Sequence, residues 1–240
     1  MASPDPISGA NNKVDIMTKD LSSLARNGEL RVAINTGNRA LVQQEGAQLR
    51  GISPALAQRL ADEIGARLEH VIYEGAGKVF ADAERDVWDV GFLAIDSKRA
   101  EKIAFTKPYI VIEATYAVRA QSAFHEINDV DRKGVHVLTA KGSAYDMYLT
   151  DALQQATLER FGTPPDSFAA FREGRCDAVA GVRQSLEGFF EGDANVRLLP
   201  GALTSVRQAM VLPNRSDPRI AALDDFIQRA LNSGFVEANT

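Results

Sequence analysis

Cysteine and histidine are scarce in this 240-residue sequence, and long apolar runs are missing. Cys176 is the one cysteine, so an intrachain disulfide cannot form. Its position in a β-like run favours a small core residue over a reactive thiol. The three histidines, His70, His125 and His136, have no cysteine or acidic partner at metal-ligand spacing, so we expect no metal site. No run of about 18 apolar residues occurs, which argues against a membrane-spanning helix.

A basic block and the common catalytic motifs are missing as well. The 27 Lys and Arg residues against 32 Asp and Glu give a net charge of −5, which argues against a nucleic-acid or membrane-surface role. There is no G-x-S-x-G elbow and no glycine fingerprint for a dinucleotide. The loop Glu74–Lys78 lacks the glycine spacing of a phosphate-binding loop. We therefore expect a protein that is not an enzyme and needs no cofactor.

The amino-terminal segment is polar. Residues 1–18 predict a lead-in, and Lys19–Asn27 has the spacing of a short helix that stops at Gly28. The segment has neither the basic nor the apolar region of a secretory signal. We expect either a cytosolic protein or a mature exported form with a new starting Met.

Predicted strands and helices alternate along the remaining chain. The clearest helix has Ser53 as its predicted N-cap, Pro54 at its first position and Gly65 at its end. From about residue 119 the alternation starts again, which indicates a second α/β lobe. The main predicted strands are Leu30–Ile34, Leu68–Tyr73, Val90–Ile95, Ile110–Val118, Gly134–Leu138, Ala156–Phe161, Cys176–Ala180 and Val206–Leu212.

Polar residues follow three strands of the first series. Asn35, Glu74 and the segment Asp96–Arg99 each come just after a strand. Ligands of such sheets gather beyond the carboxyl ends of the strands, so we expect these residues near a ligand. A guanidinium such as that of Arg99 matches a carboxylate with two parallel hydrogen bonds. The alternative is an exposed helical arginine that pairs with Glu101 or with nothing.

Ser143 opens a predicted helix of the second series, directly after Lys141 and Gly142. Its hydroxyl and the helix N-terminal amides would cradle a carboxylate. The alternative, in which Ser143 caps its own helix, is compatible with that role. Among the aromatic residues, most are expected in the core, and Phe92 and Tyr109 are the best candidates for ligand contact.

Six segments, in order, resemble the bacterial extracellular solute-binding proteins of family 3, the polar amino-acid type. The most specific is a strand followed by the family's Thr-x-x-Arg and then F-(S/T)-x-P-Y, which stands here as Ile95–Arg99 and Phe105–Tyr109. The resemblance covers about residues 29–237. The matching segments are Leu30–Ile34, Gly51–Gly65, Ile95–Arg99, Phe105–Tyr109, Lys141–Ser143 and Gly174–Val179.

This resemblance implies the type II periplasmic-binding-protein fold, an α/β fold of two lobes. Each lobe would be a mainly parallel sheet flanked by helices, and two hinge strands would join them. Residues 1–28 would form the lead-in and short helix, 29–115 with 208–240 lobe 1, and 116–207 lobe 2. The resemblance also implies a monomeric periplasmic protein, freed of its signal peptide. It would carry a small carboxylate-bearing ligand, an amino acid or related organic acid, to the permease of an ABC importer.

The resemblance also assigns the site. Arg99 would hold the ligand's α-carboxylate, Ser143 would assist from lobe 2, and Asn35 and Asn38 occupy ligand positions of lobe 1. The full set of expected ligand-binding residues is Asn35, Asn38, Glu74, Phe92, Ala94, Asp96, Arg99, Lys141, Gly142, Ser143 and Arg183.

Three positions depart from the family pattern. Asp96 replaces a threonine, Asn38 replaces an aromatic residue, and the acid expected near Gly181–Arg183 is missing. A buried ammonium without a partner is costly. The ligand therefore either pairs an ammonium with Glu74 or Asp96, or is an anionic or unusual carboxylate. The alternative functions are a cyclohexadienyl-dehydratase-like enzyme with Glu74 as general acid, and a sensory domain with a membrane anchor.

Overall fold

The computed structural model describes residues 20–240. The predicted lead-in over residues 1–18 lies outside the described residues, as does Lys19. Where a helix was expected over Lys19–Asn27, the structure has one 3-10 turn, Leu21–Leu24, in which the backbone N–H of Ser22 donates to the Asp20 side chain. The helix prediction was wrong in type, because only two apolar residues here reach the core and the chain turns at once into a strand.

Strands and helices alternate across the described residues. The strands are β1 Glu29–Asn35, β2 Gln43–Glu45, β3 Gln48–Arg50, β4 Arg67–Tyr73, β5 Val90–Ala94, β6 Ala104–Phe105, β7 Ile110–Arg119, β8 His136–Thr139, β9 Thr157–Arg160, β10 Ala178–Val182, β11 Val196–Leu198 and β12 Thr204–Leu212. The α-helices are α1 Ile52–Ile64, α2 Ala76–Ala81, α3 Ser97–Ala100, α4 Ala144–Ala152, α5 Pro164–Arg172, α6 Arg183–Phe189, α7 Ile220–Asn232 and α8 Phe235–Ala238.

The main sheet has two parallel halves joined by antiparallel strands. Its order is β4-β1-β5-β12-β7-β10-β8-β9, with β6 on β12 and β11 on β7. The strands β4, β1 and β5 run parallel, and so do β10, β8 and β9. We call the half built on β4-β1-β5 lobe 1 and the half built on β10-β8-β9 lobe 2. The predicted α/β architecture with two sheet halves is confirmed.

Two long strands, β7 and β12, pass between the lobes. In β7 the partner changes at Ala114, from β12 on one side to β10 on the other. In β12 it changes at Gln208, from β7 to β5. The predicted hinge strand over Ile110–Val118 corresponds to β7, whereas the exact lobe boundaries at residues 115 and 208 stay predictions.

Helix α1 shows how local sequence is overruled by packing. Gly65 ends it in the left-handed conformation, as predicted. Ser53, the predicted N-cap, is instead buried inside the helix, with its hydroxyl 3.4 Å from the Tyr109 hydroxyl. The helix begins at Ile52 with Gly51 as its N-cap, two residues before the predicted cap. A side chain at Gly51 would collide with the Leu41 carbonyl, and the backbone there has a positive φ.

The core of lobe 2 is built on aromatic rings. Phe190 contacts Phe168 in a tilted arrangement and Phe171 edge to face. Cys176 is buried there, two residues before β10 begins, so the prediction of a core cysteine is confirmed. Burial raises the pKa of its thiol to about 12, which leaves it protonated and unreactive at neutral pH.

The sequence predicts neither a membrane-spanning helix nor a metal site. Within residues 20–240, no helix has the length and apolar character needed to cross a membrane. In the same range no cluster of His, Cys, Asp and Glu is arranged to hold a metal ion. The hairpin of β2 and β3, in contrast, was not predicted, because its strands are short and exposed and carry no apolar alternation.

Candidate functional site

A cavity lies between the two lobes, where the carboxyl ends of β1 and β5 face the loops of lobe 2. It offers about 40 Å³ to the centres of water-sized atoms. Of the predicted ligand-binding residues, Asn35, Asn38, Phe92, Ala94, Arg99 and Ser143 line it. The other lining residues are Gly37, Leu41, Val42, Ser53, Ala76, Leu93, Ala144, Tyr145, Pro164, Val182, Ser185, Val206 and Gln208.

Arg99 is the only charged side chain among these lining residues. It is 1% exposed. Its Nη1 donates to the carbonyl of Ala94 at 3.0 Å, and its Nη2 donates across the cleft to the carbonyl of Gly142 at 2.7 Å. Among residues 20–240, no carboxylate lies within ion-pair distance of it. Burial therefore lowers the pKa of Arg99 to about 10, against a smaller opposing effect of Asp96.

The short helix α3 explains how Arg99 reaches the cavity. Asp96 accepts a hydrogen bond from the backbone N–H of Arg99 at 3.0 Å and so caps the helix. Strand β5, buried along its whole length, ends at Ala94 just before this cap. The side chain of Arg99 then folds back toward the strand end whose carbonyl it meets. The alternative in which Arg99 is an exposed helical residue is excluded by its burial.

The loop Lys141–Ser143 supplies the facing side from lobe 2. Gly142 has a φ of +72°, and its N–H donates to Oδ2 of Asp146 at 2.8 Å. Ser143 accepts from the backbone N–H of Asp146 at 3.0 Å, so it caps α4 while lining the cavity. Asp146 is held in turn by Arg160, 2.9 Å from its Oδ1. The loop is thus fixed by an acid that does not itself line the cavity.

Two asparagines close the lobe 1 side. Asn35 accepts a hydrogen bond from the N–H of Gly37 at 3.1 Å, which shapes the turn after β1. Asn38 is buried, and its Oδ1 has no hydrogen-bond partner among the described residues. Because a buried amide oxygen without a partner costs free energy, Asn38 is a candidate for contact with a ligand.

Phe92 and Tyr109 form the apolar floor. Their rings lie 6.0 Å apart and nearly perpendicular, an edge-to-face contact. Phe92 lines the cavity, whereas Tyr109 supports it from behind and meets Ser53 with its hydroxyl. Ala94 contributes its carbonyl to Arg99 and a methyl group to the wall.

Five predicted residues do not line the cavity. Glu74 is exposed and forms an ion pair with Lys78 at 3.2 Å. Arg183 donates to the carbonyl of Gly201 at 2.6 Å and lies 3.4 Å from Glu113, outside the cleft. Two more are the helix-capping Asp96 and the exposed Lys141. The fifth, Gly142, takes part through its carbonyl alone.

Sequence reasoning missed Tyr145, Ser185 and Gln208. Ser185, near the start of α6, accepts from the N–H of Arg39 at 3.0 Å and reaches the carbonyl of Gly37 at 3.4 Å, joining the lobes. The hydroxyl of Tyr145 is buried without a hydrogen-bond partner among the described residues. Burial raises the pKa of Tyr145, against a smaller opposing effect of the nearby Ser143 hydroxyl, which does not meet hydrogen-bond geometry with the Tyr145 hydroxyl. These residues lie on helices and on a hinge strand, where no strand-end signal marks them.

Comparison with known proteins decides the family. The model of the bacterial extracellular solute-binding proteins, family 3, matches residues 30–238. The chain belongs to this family. Among curated relatives of this family member, a glutamine-binding protein of Geobacillus stearothermophilus is 24% identical over 189 residues, which is 76% of this chain and 71% of that protein.

Solved structures support the same fold. An amino acid ABC transporter substrate-binding protein of Streptococcus pneumoniae, bound to L-arginine, is 22% identical with a TM-score of 0.76. The match covers 88% of this chain and 92% of that one. An ancestral amino acid-binding protein, a precursor of cyclohexadienyl dehydratase, is 19% identical with a TM-score of 0.75, covering 94% and 96% of the two chains. The fold expected from the sequence is therefore confirmed.

Proposed function

We propose that this family member is the substrate-binding component of an ABC importer and captures a small carboxylate-bearing solute between its lobes. It acts outside the cytoplasmic membrane, as expected of this extracellular family, and delivers the solute to a membrane permease. Arg99 binds the carboxylate, the loop Lys141–Ser143 closes over it, and β7 with β12 forms the hinge. Residues 29–115 with 208–240 move as one lobe and 116–207 as the other.

The observation that carries this proposal is the guanidinium of Arg99. It has five N–H donors, and the two backbone carbonyls it meets take only two of them. The remaining donors suit the two oxygens of one carboxylate. A charge at 1% exposure without an acidic partner in residues 20–240 is costly, and an anionic ligand offsets that cost.

The lining of the cavity supports binding rather than catalysis. Among the described residues that line it, none is Asp, Glu or His, the usual general acids and bases. Glu74, the acid that a dehydratase reaction would need, points to solvent and pairs with Lys78. We therefore propose a protein that binds and releases its solute unchanged.

The test is calorimetry with purified protein against small carboxylates and amino acids. We expect at least one carboxylate to bind the wild type and Arg99→Gln to weaken it at least about 100-fold, because a charged hydrogen-bonded pair is lost. Arg85→Ala is the control, since its side chain is 72% exposed and, within residues 20–240, forms an ion pair only with nearby Asp82. Circular dichroism checks that both variants are folded.

Two results would count against the proposal. Binding that survives Arg99→Gln would remove the carboxylate assignment. Conversion of prephenate or arogenate by the wild type, lost in Glu74→Gln, would replace transport by a dehydratase function.

A further inference from the structure

We propose that the ligand is a small monocarboxylate whose second polar group is uncharged, such as a hydroxyl or oxo group, and not an α-ammonium group. This inference rests on the proposed function, because it specifies the solute that the same cavity takes. It is carried by the charge balance of the cavity, by two buried polar atoms without partners, and by the space available.

The charge balance comes first. Arg99 brings one positive charge to the cavity, and no carboxylate among the described residues lines it. A monocarboxylate makes the closed site neutral. A zwitterionic amino acid adds no net charge, so the site keeps one uncompensated positive charge away from water, which is costly.

The acids nearest to the cavity are engaged elsewhere. The carboxylate of Asp96 accepts a hydrogen bond from the backbone of α3. The side chain of Glu74 is 68% exposed and forms an ion pair with Lys78. Asp146 accepts from Gly142 and pairs with Arg160 behind the loop. At the start of α6, the apolar side chain of Val182 lines the wall. No described acid therefore lines the cavity, and each of these three has a partner outside it.

Two buried polar atoms point to the uncharged group. Oδ1 of Asn38 and the hydroxyl of Tyr145 have no hydrogen-bond partner among the described residues, and both residues line the cavity from opposite lobes. Asn38 is 8% exposed and Tyr145 is 4% exposed. A ligand hydroxyl both donates and accepts, so it satisfies an amide in either orientation, and an oxo group accepts from Tyr145.

The size of the cavity limits the carbon skeleton. Only about 40 Å³ is open to the centres of water-sized atoms, so the closed cavity is narrow. The floor of Phe92 and the walls of Leu41, Val42 and Val206 are apolar. A short 2-hydroxy or 2-oxo acid fits these limits better than a long or doubly charged acid.

The experiment compares molecules that share a skeleton and differ in one group. Calorimetry is run with glycolate against glycine, lactate and pyruvate against alanine, and 2-hydroxyisovalerate against valine. We expect the hydroxy or oxo acid of at least one set to bind the wild type at least about tenfold more tightly than its amino acid. The same titrations are carried out with the Arg99→Gln variant.

A single isosteric substitution tests the charge argument directly. Asn38→Asp adds a carboxylate at a cavity-lining position, so we expect the preference to shift by at least about tenfold toward the amino acid. Asn195→Asp is the matched control, because it adds the same charge on the exposed surface. It should leave the preference unchanged.

The outcomes separate the two proposals. Tighter binding of amino acids by the wild type, lost in Arg99→Gln, overturns the uncharged-group inference and leaves the carboxylate-binding function intact. If no monocarboxylate of either kind and no other carboxylate of the panel binds, the proposed function fails as well. An Asn38→Asp preference that equals that of Asn195→Asp also overturns the inference.

Discussion

Gly77 offers a test of lobe closure that does not alter the cavity itself. It lies in α2 of lobe 1, and a Cβ added there would stand 2.6 Å from the carbonyl oxygen of Lys141 in lobe 2. Ordinary contact begins near 3.4 Å, so Gly77→Ala forces the lobes apart by about 0.8 Å at this point. The substitution therefore acts on the closed arrangement alone.

The cost of that displacement follows from the adjacent hydrogen bond. Arg99 reaches the carbonyl of Gly142 at 2.7 Å, and a shift of about 0.8 Å stretches this bond beyond the usual limit. A hydrogen bond to a charged group contributes about 1.5–3 kcal/mol. We therefore expect Gly77→Ala to weaken ligand binding roughly 10- to 100-fold. The free energy of unfolding without ligand should stay level or rise by up to about 1 kcal/mol, because alanine favours a helix.

Calorimetry with the tightest carboxylate of the panel measures the affinity, and urea unfolding measures the stability. Gly75→Ala is the matched control. It is the N-cap of the same helix and faces the same lobe, but its added Cβ would meet Pro164 at 3.6 Å, an ordinary contact. Equal affinities for wild type, Gly75→Ala and Gly77→Ala would refute the view that the ligand-bound lobes approach this closely.

Two further predictions concern charge. Burial lowers the pKa of Arg99 to about 10, so carboxylate affinity should be constant up to about pH 9 and fall roughly tenfold per unit above about pH 10. An unchanged affinity at pH 11, with the fold intact by circular dichroism, would contradict this. Asp89 is buried and binds both Arg26 and Arg31, so Asp89→Ala should lower the free energy of unfolding by about 3 kcal/mol in urea titration. The exposed Glu84, paired with Lys102, is its control, and Glu84→Ala should change stability by less than about 1 kcal/mol.

Much of the fold can be predicted from the local sequence, as one strand and one helix end illustrate. Val90–Ala94 is an unbroken apolar run and forms the buried central strand β5. Gly65 marks the end of α1 because it adopts the left-handed conformation that other residues avoid. The placement of Arg99 near a strand end also follows from sequence, since polar residues after parallel strands meet at one sheet edge.

The rest depends on contacts between distant segments. Ser53 has the chemistry of an N-cap, yet it is buried because the Leu41 carbonyl and Tyr109 fix the start of α1. Arg183 follows a strand just as Arg99 does, but it turns to Gly201 and leaves the cavity. Tyr145 becomes a site residue only because lobe 2 is brought against lobe 1. Contacts of this kind, between residues far apart in the sequence, cannot be predicted from a local sequence pattern.

If Arg99 binds the carboxylate as proposed, it also couples ligand binding to closure of the lobes. The same guanidinium donates to Ala94 within lobe 1 and to Gly142 in lobe 2. Closing the lobes therefore gains a hydrogen bond but removes a cation from water, and the second effect opposes the first. A ligand carboxylate offsets that opposition only in the closed arrangement, where the charge is buried. Under this proposal the ligand favours the closed state because it binds that state more tightly than the open one. We therefore expect the charge of the ligand to decide how strongly it promotes closure.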